Sequence, residues 1–250
     1  MNTWQSLLVV VAGVWAGAIN TVVGSGTLIT FPVLLSVGLS PVTANVSNSV
    51  GLFPGSFVGA YGYRRELTGQ RDRTLILGTA TVLGSALGAV LLLVLPARAF
   101  KAIVPALIVL ALVLVVFGPR ITSALAARGR AAGESVRWPL WLATFGVGIY
   151  GGYFGAAQGV LMMAFLGLML KETLQRQNAL KNVLAGLVNL VAAVIFVLSS
   201  HIDWAASGFI AIGAVLGGLL GAKIGRRLSP AVLRGVIVAV GIAAIVKLLL

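Results

Sequence analysis

The chain has 250 residues, 59% of them hydrophobic and only 9% charged, with a net charge of +13 and no cysteine. A soluble domain carries about 25% charged residues, so a water-soluble globule of this size is excluded, because it could not bury so much apolar surface. Thiol chemistry is excluded with the cysteines, and the basic residues lie in short connectors, where they orient membrane helices, rather than in the clustered groove a nucleic acid needs.

Residues 1–63 contain no charged residue. Met1–Gln5 lack the positive n-region of a cleavable signal, and the apolar stretch behind them outruns any h-region, so the segment is expected to stay in the mature protein. Within it, 4–39 reads as one long apolar segment with Asn20-Thr21-Val22-Val23-Gly24-Ser25-Gly26-Thr27 at its middle. Glycine disfavours continuous helix, and irregular backbone at membrane depth is tolerated only where protein or a wet cavity surrounds it. A broken or re-entrant hairpin is therefore expected. Crossing a bilayer takes roughly 20 apolar residues, which predicts spans over about 41–63, 74–95 and 99–118. The Arg/Gly/Ala-rich segment 119–137 reads as a cytoplasmic linker. A second long apolar segment, 138–170, carries Tyr153-Phe154-Gly155-Ala156-Ala157-Gln158-Gly159 at its middle and precedes three more predicted spans, 178–200, 204–222 and 230–250. Trp4, Trp138, Trp141 and Trp204 sit at span ends as interface anchors.

The order of elements repeats, and so do residues. A shift of 133 positions lays Gly13 on Gly146, Gly26 on Gly159, Asn45 on Asn178, Leu83-Gly84 on Leu216-Gly217, Gly88-Ala89 on Gly221-Ala222 and Lys101 on Arg234. Apolar coincidences are cheap in such a sequence, but glycine, asparagine and basic matches held in one register are not. The chain thus divides into repeats 1–118 and 138–250 around the linker.

Basic residues orient the halves. If 4–39 and 138–170 each cross once, nine Lys and Arg fall on each side of the membrane. If each returns to its own side, the connectors 64–73, 119–137, 171–181 and 223–234 share one face. That face then holds all of the 18 Lys and Arg except Arg98, Lys101 and Lys247. The positive-inside rule prefers the second arrangement. The expected fold is all-α and integral to the membrane: two inverted repeats, each a re-entrant or broken helical hairpin plus three transmembrane helices. Both termini lie outside the cell membrane.

Two sets of polar residues stand in this apolar background. The hairpin tips carry Asn20, Thr21, Ser25 and Thr27, and Tyr153 and Gln158; a half-helix that starts inside the membrane points unpaired N–H groups and a positive dipole end at an anion. The following helices carry Asn45, Asn48 and Ser49 at i, i+3 and i+4, one helix face, and the shift of 133 lays them on Asn178, Lys181 and Asn182, with Ser56 on Asn189. Polar glue between helices is the competing reading of these faces. The glycine series Gly51/Gly55/Gly59, Gly84/Gly88 and Gly213/Gly217/Gly221 reads as close helix packing. The carboxylates Glu66, Asp72, Glu134, Glu172 and Asp203 lie in or beside connectors, and His201 has no nucleophile or metal partner near it in sequence. Catalysis needs such pairs, so an enzyme is not expected, and nothing calls for a cofactor or metal.

The ordered set Gly13-Val-Trp-Ala-Gly17, Gly24-Ser-Gly26-Thr-Leu-Ile-Thr-Phe-Pro32, Ser40-Pro41-Val-Thr-Ala44-Asn45, Tyr61-Gly-Tyr-Arg-Arg65 and Leu83-Gly84 with Gly88-Ala89 before Pro96 resembles the sulfite exporter TauE/SafE family of bacterial membrane transporters. The likeness covers nearly the whole chain, although the second tip is poorer in glycine than the family pattern. It implies inner-membrane transport of sulfite, sulfonates or related oxyanions. With two tips and one basic residue to receive an anion, the expected function is a secondary transporter working by alternating access. An anion channel and, further off, a membrane-embedded enzyme are the alternatives. The expected partners are a small anionic solute and the lipid bilayer.

Overall fold

The computed structural model describes residues 1–128 and 138–224, with positions 235, 238, 239 and 242 besides. The rest of the linker, most of the connector 223–234 and the last expected span, with Lys247, lie outside the described residues. The described residues form helices and no strand. The helices are α1 (Thr3–Val22), α2 (Thr27–Ser36), α3 (Pro41–Gly62), α4 (Arg71–Val94), α5 (Ala97–Arg128), α6 (Trp138–Tyr153), α7 (Gln158–Met169), α8 (Leu174–Ser199) and α9 (Trp204–Ile224).

Local chemistry explains their limits. Asn2 and Gln5 close a capping box at the start of α1, and Ser40 caps α3 with Pro41 at its first turn, where a missing N–H costs nothing. Thr173 caps α8 in the same way. Both long apolar segments break where their glycines fall, between α1 and α2 and between α6 and α7. Gly24 (φ 86°) and Gly155 (φ 76°) adopt left-handed backbone there, and so does Ala157 (φ 58°), which the repeat register pairs with Gly24. Alanine in that conformation costs roughly 1–2 kcal/mol, so the second tip holds strain that the first avoids. α5 runs ten residues past the expected end at 118, to Arg128.

Among the described residues five helices are long and apolar enough to cross a membrane: α1, α4, α8, the stretch Ala97–Gly118 of α5 and Trp204–Lys223 of α9. The α3 helix has a span's length of 22 residues but buries Asn45, Ser47, Asn48, Ser49 and Ser56, which lowers its hydropathy. The α2 and α7 helices have 10 and 12 residues, too short to cross a bilayer. Large apolar side chains such as Leu7, Val11, Leu83, Leu87, Val94 and Leu198 face outward, the surface expected against lipid.

Each half packs on the other through its first helix. The α1 and α9 helices run side by side in one direction: Gly13 meets Ile210 and Gly213, Gly17 meets Ala214, and Gly221 meets Ala18. A Cβ at Gly13 would stand 2.9 Å from the Ile210 carbonyl oxygen. The repeat-equivalent pair, α6 and α4, also runs in one direction, with Gly84 against Phe145 and Gly152 against Ser85. Between these pairs α3 packs on α8 and α9.

The bundle has two ends. At one, the connectors 63–70 and 170–173 touch: Arg73 bonds Glu172, Arg176 donates to the Thr68 carbonyl at 3.0 Å, and Gln70 donates to the Arg176 carbonyl at 3.1 Å. At the other, the starts of α3 and α5 adjoin, and the Asp203 amide donates to Ser47 Oγ at 2.9 Å.

Candidate functional site where the two breaks meet

The two helix breaks meet inside the bundle. The Gly159 amide donates to the Gly24 carbonyl at 3.1 Å. A Cβ on Gly159 would stand 2.5 Å from Gly24 Cα and 3.0 Å from Lys181 Cδ, so only glycine permits this approach. One N–H at the start of α7 is thereby engaged by protein rather than left for a ligand.

The last carbonyls of a helix have no partner of their own, and α1 ends inside the bundle. Lys181 Nζ donates to the carbonyls of Asn20 (2.9 Å) and Thr21 (3.2 Å), and Asn178 Nδ2 and Asn182 Nδ2 each donate to Thr21 at 3.2 Å. The i, i+3, i+4 face of α8 thus caps the broken end of a helix from the other half. The first half returns the contact: Asn45 Nδ2 donates to the carbonyl of Tyr153, the last residue of α6, at 2.9 Å.

Beyond that exchange the halves differ. Asn48, the repeat mate of Lys181, accepts from Thr30 and donates to Thr27 at 3.2 Å, both in α2 of its own half. Ser49 Oγ bonds back to the Asn45 carbonyl at 3.1 Å, and Thr21 Oγ1 to Gly17 at 2.9 Å; these hydroxyls are engaged within their own helices, and Thr21 joins the cluster through its carbonyl. Asn20 Nδ2 (3.1 Å) and Asn189 Nδ2 (3.3 Å) share Ser56 Oγ, which ties the halves together below the junction. Thr30 was absent from the candidates read in sequence; its place three residues after Thr27, on the same face of α2, was the available signal.

Several buried oxygens here have no hydrogen-bond partner. Ser25 Oγ and Gln158 Oε1 are repeat mates, as are Asn45 Oδ1 and Asn178 Oδ1, and Tyr153 OH joins them. Ser25 is 0% exposed, Asn45 1%, Gln158 3% and Asn178 8%. Leaving such a group unsatisfied costs about 1–3 kcal/mol, and four of these five occur as matched pairs on the tips and on the helices that cap them. Lys181, at 0% exposure, is an ionisable side chain beside them.

A second polar cluster closes the end of the bundle that carries Glu172. Its carboxylate accepts from Arg176 Nε at 2.6 Å and from Arg73. Burial pushes the Glu172 carboxyl up, but hydrogen bonds and charge from Arg176 and Arg73 outweigh it and hold the group below its ordinary value of 4.5. No group of three or more His, Cys, Asp or Glu side chains able to hold a metal occurs among the described residues.

Apolar spans around two broken helices, with polar groups confined to the breaks, define a multi-pass integral membrane protein of the kind that moves solutes. The chain belongs to the sulfite exporter TauE/SafE family, whose model matches residues 9–248. It is similar to a probable membrane transporter protein of Haemophilus influenzae, 29% identical over 219 residues that cover 85% of this chain and 82% of the relative. It is also similar to the probable membrane transporter protein YfcA of Escherichia coli, 27% identical over 242 residues, 94% of this chain and 86% of the relative. A probable membrane transporter protein of a Sinorhizobium species is 27% identical over 241 residues, 96% and 90%. No solved structure matches the chain. The protein is a membrane transporter of this family.

Proposed function

We propose that the protein is a secondary transporter of the cell inner membrane for a small oxyanion such as sulfite, a sulfonate or a related organosulfur anion. Lys181 is the observation that carries the anion. Its ammonium is fully buried and bonds to two carbonyl oxygens and, among the described residues, to no carboxylate. An ammonium has three donors, so one remains for an acceptor, and a desolvated cation without a counter-ion is costly. An anionic solute at the junction would supply both. Ser25 and Gln158, buried on the two tips that meet beside Lys181, each keep an oxygen without a partner.

Alternating access is the mechanism we infer, with the halves as inverted repeats. Supporting it, α1 and α6 approach the junction from opposite ends of the bundle, and the connectors 64–73 and 171–176 adjoin. The charge count puts those connectors inside. Because the chain has no cysteine, Thr68→Cys and Ser200→Cys report sidedness directly: labelling of both from one side of the membrane defeats the inverted arrangement.

The solute class is tested by thermal shift of the purified protein against sulfite, thiosulfate, sulfonates and carboxylates. Oxyanions are expected to raise Tm, and Gln158→Ala and Asn45→Ala to weaken that response without unfolding the protein. Stabilisation by cations or neutral sugars alone would overturn the anion reading. Flux that fails to saturate in proteoliposomes would replace the carrier with a channel.

A further inference from the structure

At the end of the bundle away from Glu172, the starts of α3 and α5 enclose a groove of about 220 Å³ lined by Ser40, Pro41, Val42, Ala97, Arg98 and Lys101. Both cations are exposed, and neither has a hydrogen-bond or ion-pair partner among the described residues. Cations gathered in a concave, largely apolar wall raise the local concentration of anions. Their place also argues for a role. In the inverted arrangement they are two of the three Lys and Arg outside, where the positive-inside bias works against them, so they do not serve to orient the helices.

The groove lies over the second tip. Phe100, beside Lys101, is 1% exposed and packs edge-on against Tyr153 at 5.6 Å and Phe154 at 6.1 Å between ring centres, while Phe31 packs on Phe154 at 5.2 Å. Pro41 and Val42 precede Asn45 by four and three residues on one face of α3, and Asn45 holds the Tyr153 carbonyl. Aromatic rings of α5, α2 and the second tip therefore pack beside the residues that line the groove.

We propose that Arg98 and Lys101 form an outer collecting site that gathers the soluble oxyanion beside Phe100 before it reaches the buried junction. This rests on the anion-transporter reading. Val42→Cys puts a single thiol in the groove, with Ala97→Cys as the second choice should the first fail to fold. The quantity measured is the reaction rate with an anionic methanethiosulfonate relative to a cationic one, each normalised to a free thiol, in detergent at low salt. The anionic reagent is expected to be favoured, Arg98→Gln with Lys101→Gln to lower the ratio about tenfold, and inorganic sulfate to slow the anionic reagent only while both cations are present. A ratio unmoved by the double substitution overturns the proposal. So does protection of the thiol by phosphatidylglycerol nanodiscs, relative to phosphatidylcholine ones, if sulfate has no effect in detergent; the groove would then seat a lipid headgroup. The buried site is read separately, since the double variant should keep its oxyanion thermal shift. If the groove selects anions but no oxyanion shifts Tm in either protein, the proposed function has failed and the groove has not.

Discussion

Lys181 is fully buried in α8, nearer the start of that helix than its end; a lysine at the very centre of a spanning helix costs about 2.5–3.5 kcal/mol to insert, which is an upper bound here. Two carbonyls at the negative end of α1 offset part of that cost. Lys181→Met is therefore expected to leave the unliganded Tm level or higher while abolishing the oxyanion response. A lowered Tm with the response intact would make the lysine a structural cap alone. Residue spacing disclosed that Asn178, Lys181 and Asn182 share one face, as do Asn45 and Asn48. It did not disclose what those faces touch, because Asn45 and Asn178 reach partners 108 and 157 residues away. Nor did it separate Asn48, bonded within its own half, from Lys181, bonded across; the shared register concealed that difference in partners.

At the scale of elements, the contact between the tips depends on a missing side chain. Gly159→Ala would drive a methyl to 2.5 Å from Gly24 Cα, backbone against backbone, and is expected to cost about 1–3 kcal/mol along with the solute response. Gly146→Ala, where a Cβ meets nothing within 4 Å, should by contrast leave Tm level or raised, because alanine favours helix by about 1 kcal/mol over glycine. Equal losses in the two variants would mean that general helix packing, not the junction, sets the result. The breaks were legible because glycine clusters interrupt long apolar runs. The left-handed Ala157 was not, since no propensity places alanine there; contacts around the tip hold it. The far end of α5 also escaped the reading, because helix continues through Arg120 and beyond into a segment whose charges and glycines suggested a linker.

For the whole molecule, the Glu172 cluster joins the connector before α4 to the one before α8 and so links the two halves at one end. Glu172→Gln is expected to lower stability by about 1 kcal/mol at neutral pH. The folded carboxyl titrates below 4.5, so the ionised pair contributes fully above that value and is lost as pH falls through the lowered folded value. The gap in Tm between parent and variant should therefore close in acid; a gap independent of pH would assign the effect to packing. Membrane class, the two breaks and the spans that fall within the described residues could be read from the chain itself, because hydrophobic run length and glycine content act locally and need no knowledge of neighbours. Which buried oxygens find partners, that Gly24 meets Gly159, and that each half caps the other's broken helix were decided only by tertiary packing, because those contacts join residues far apart in sequence whose spacing carries no trace of one another.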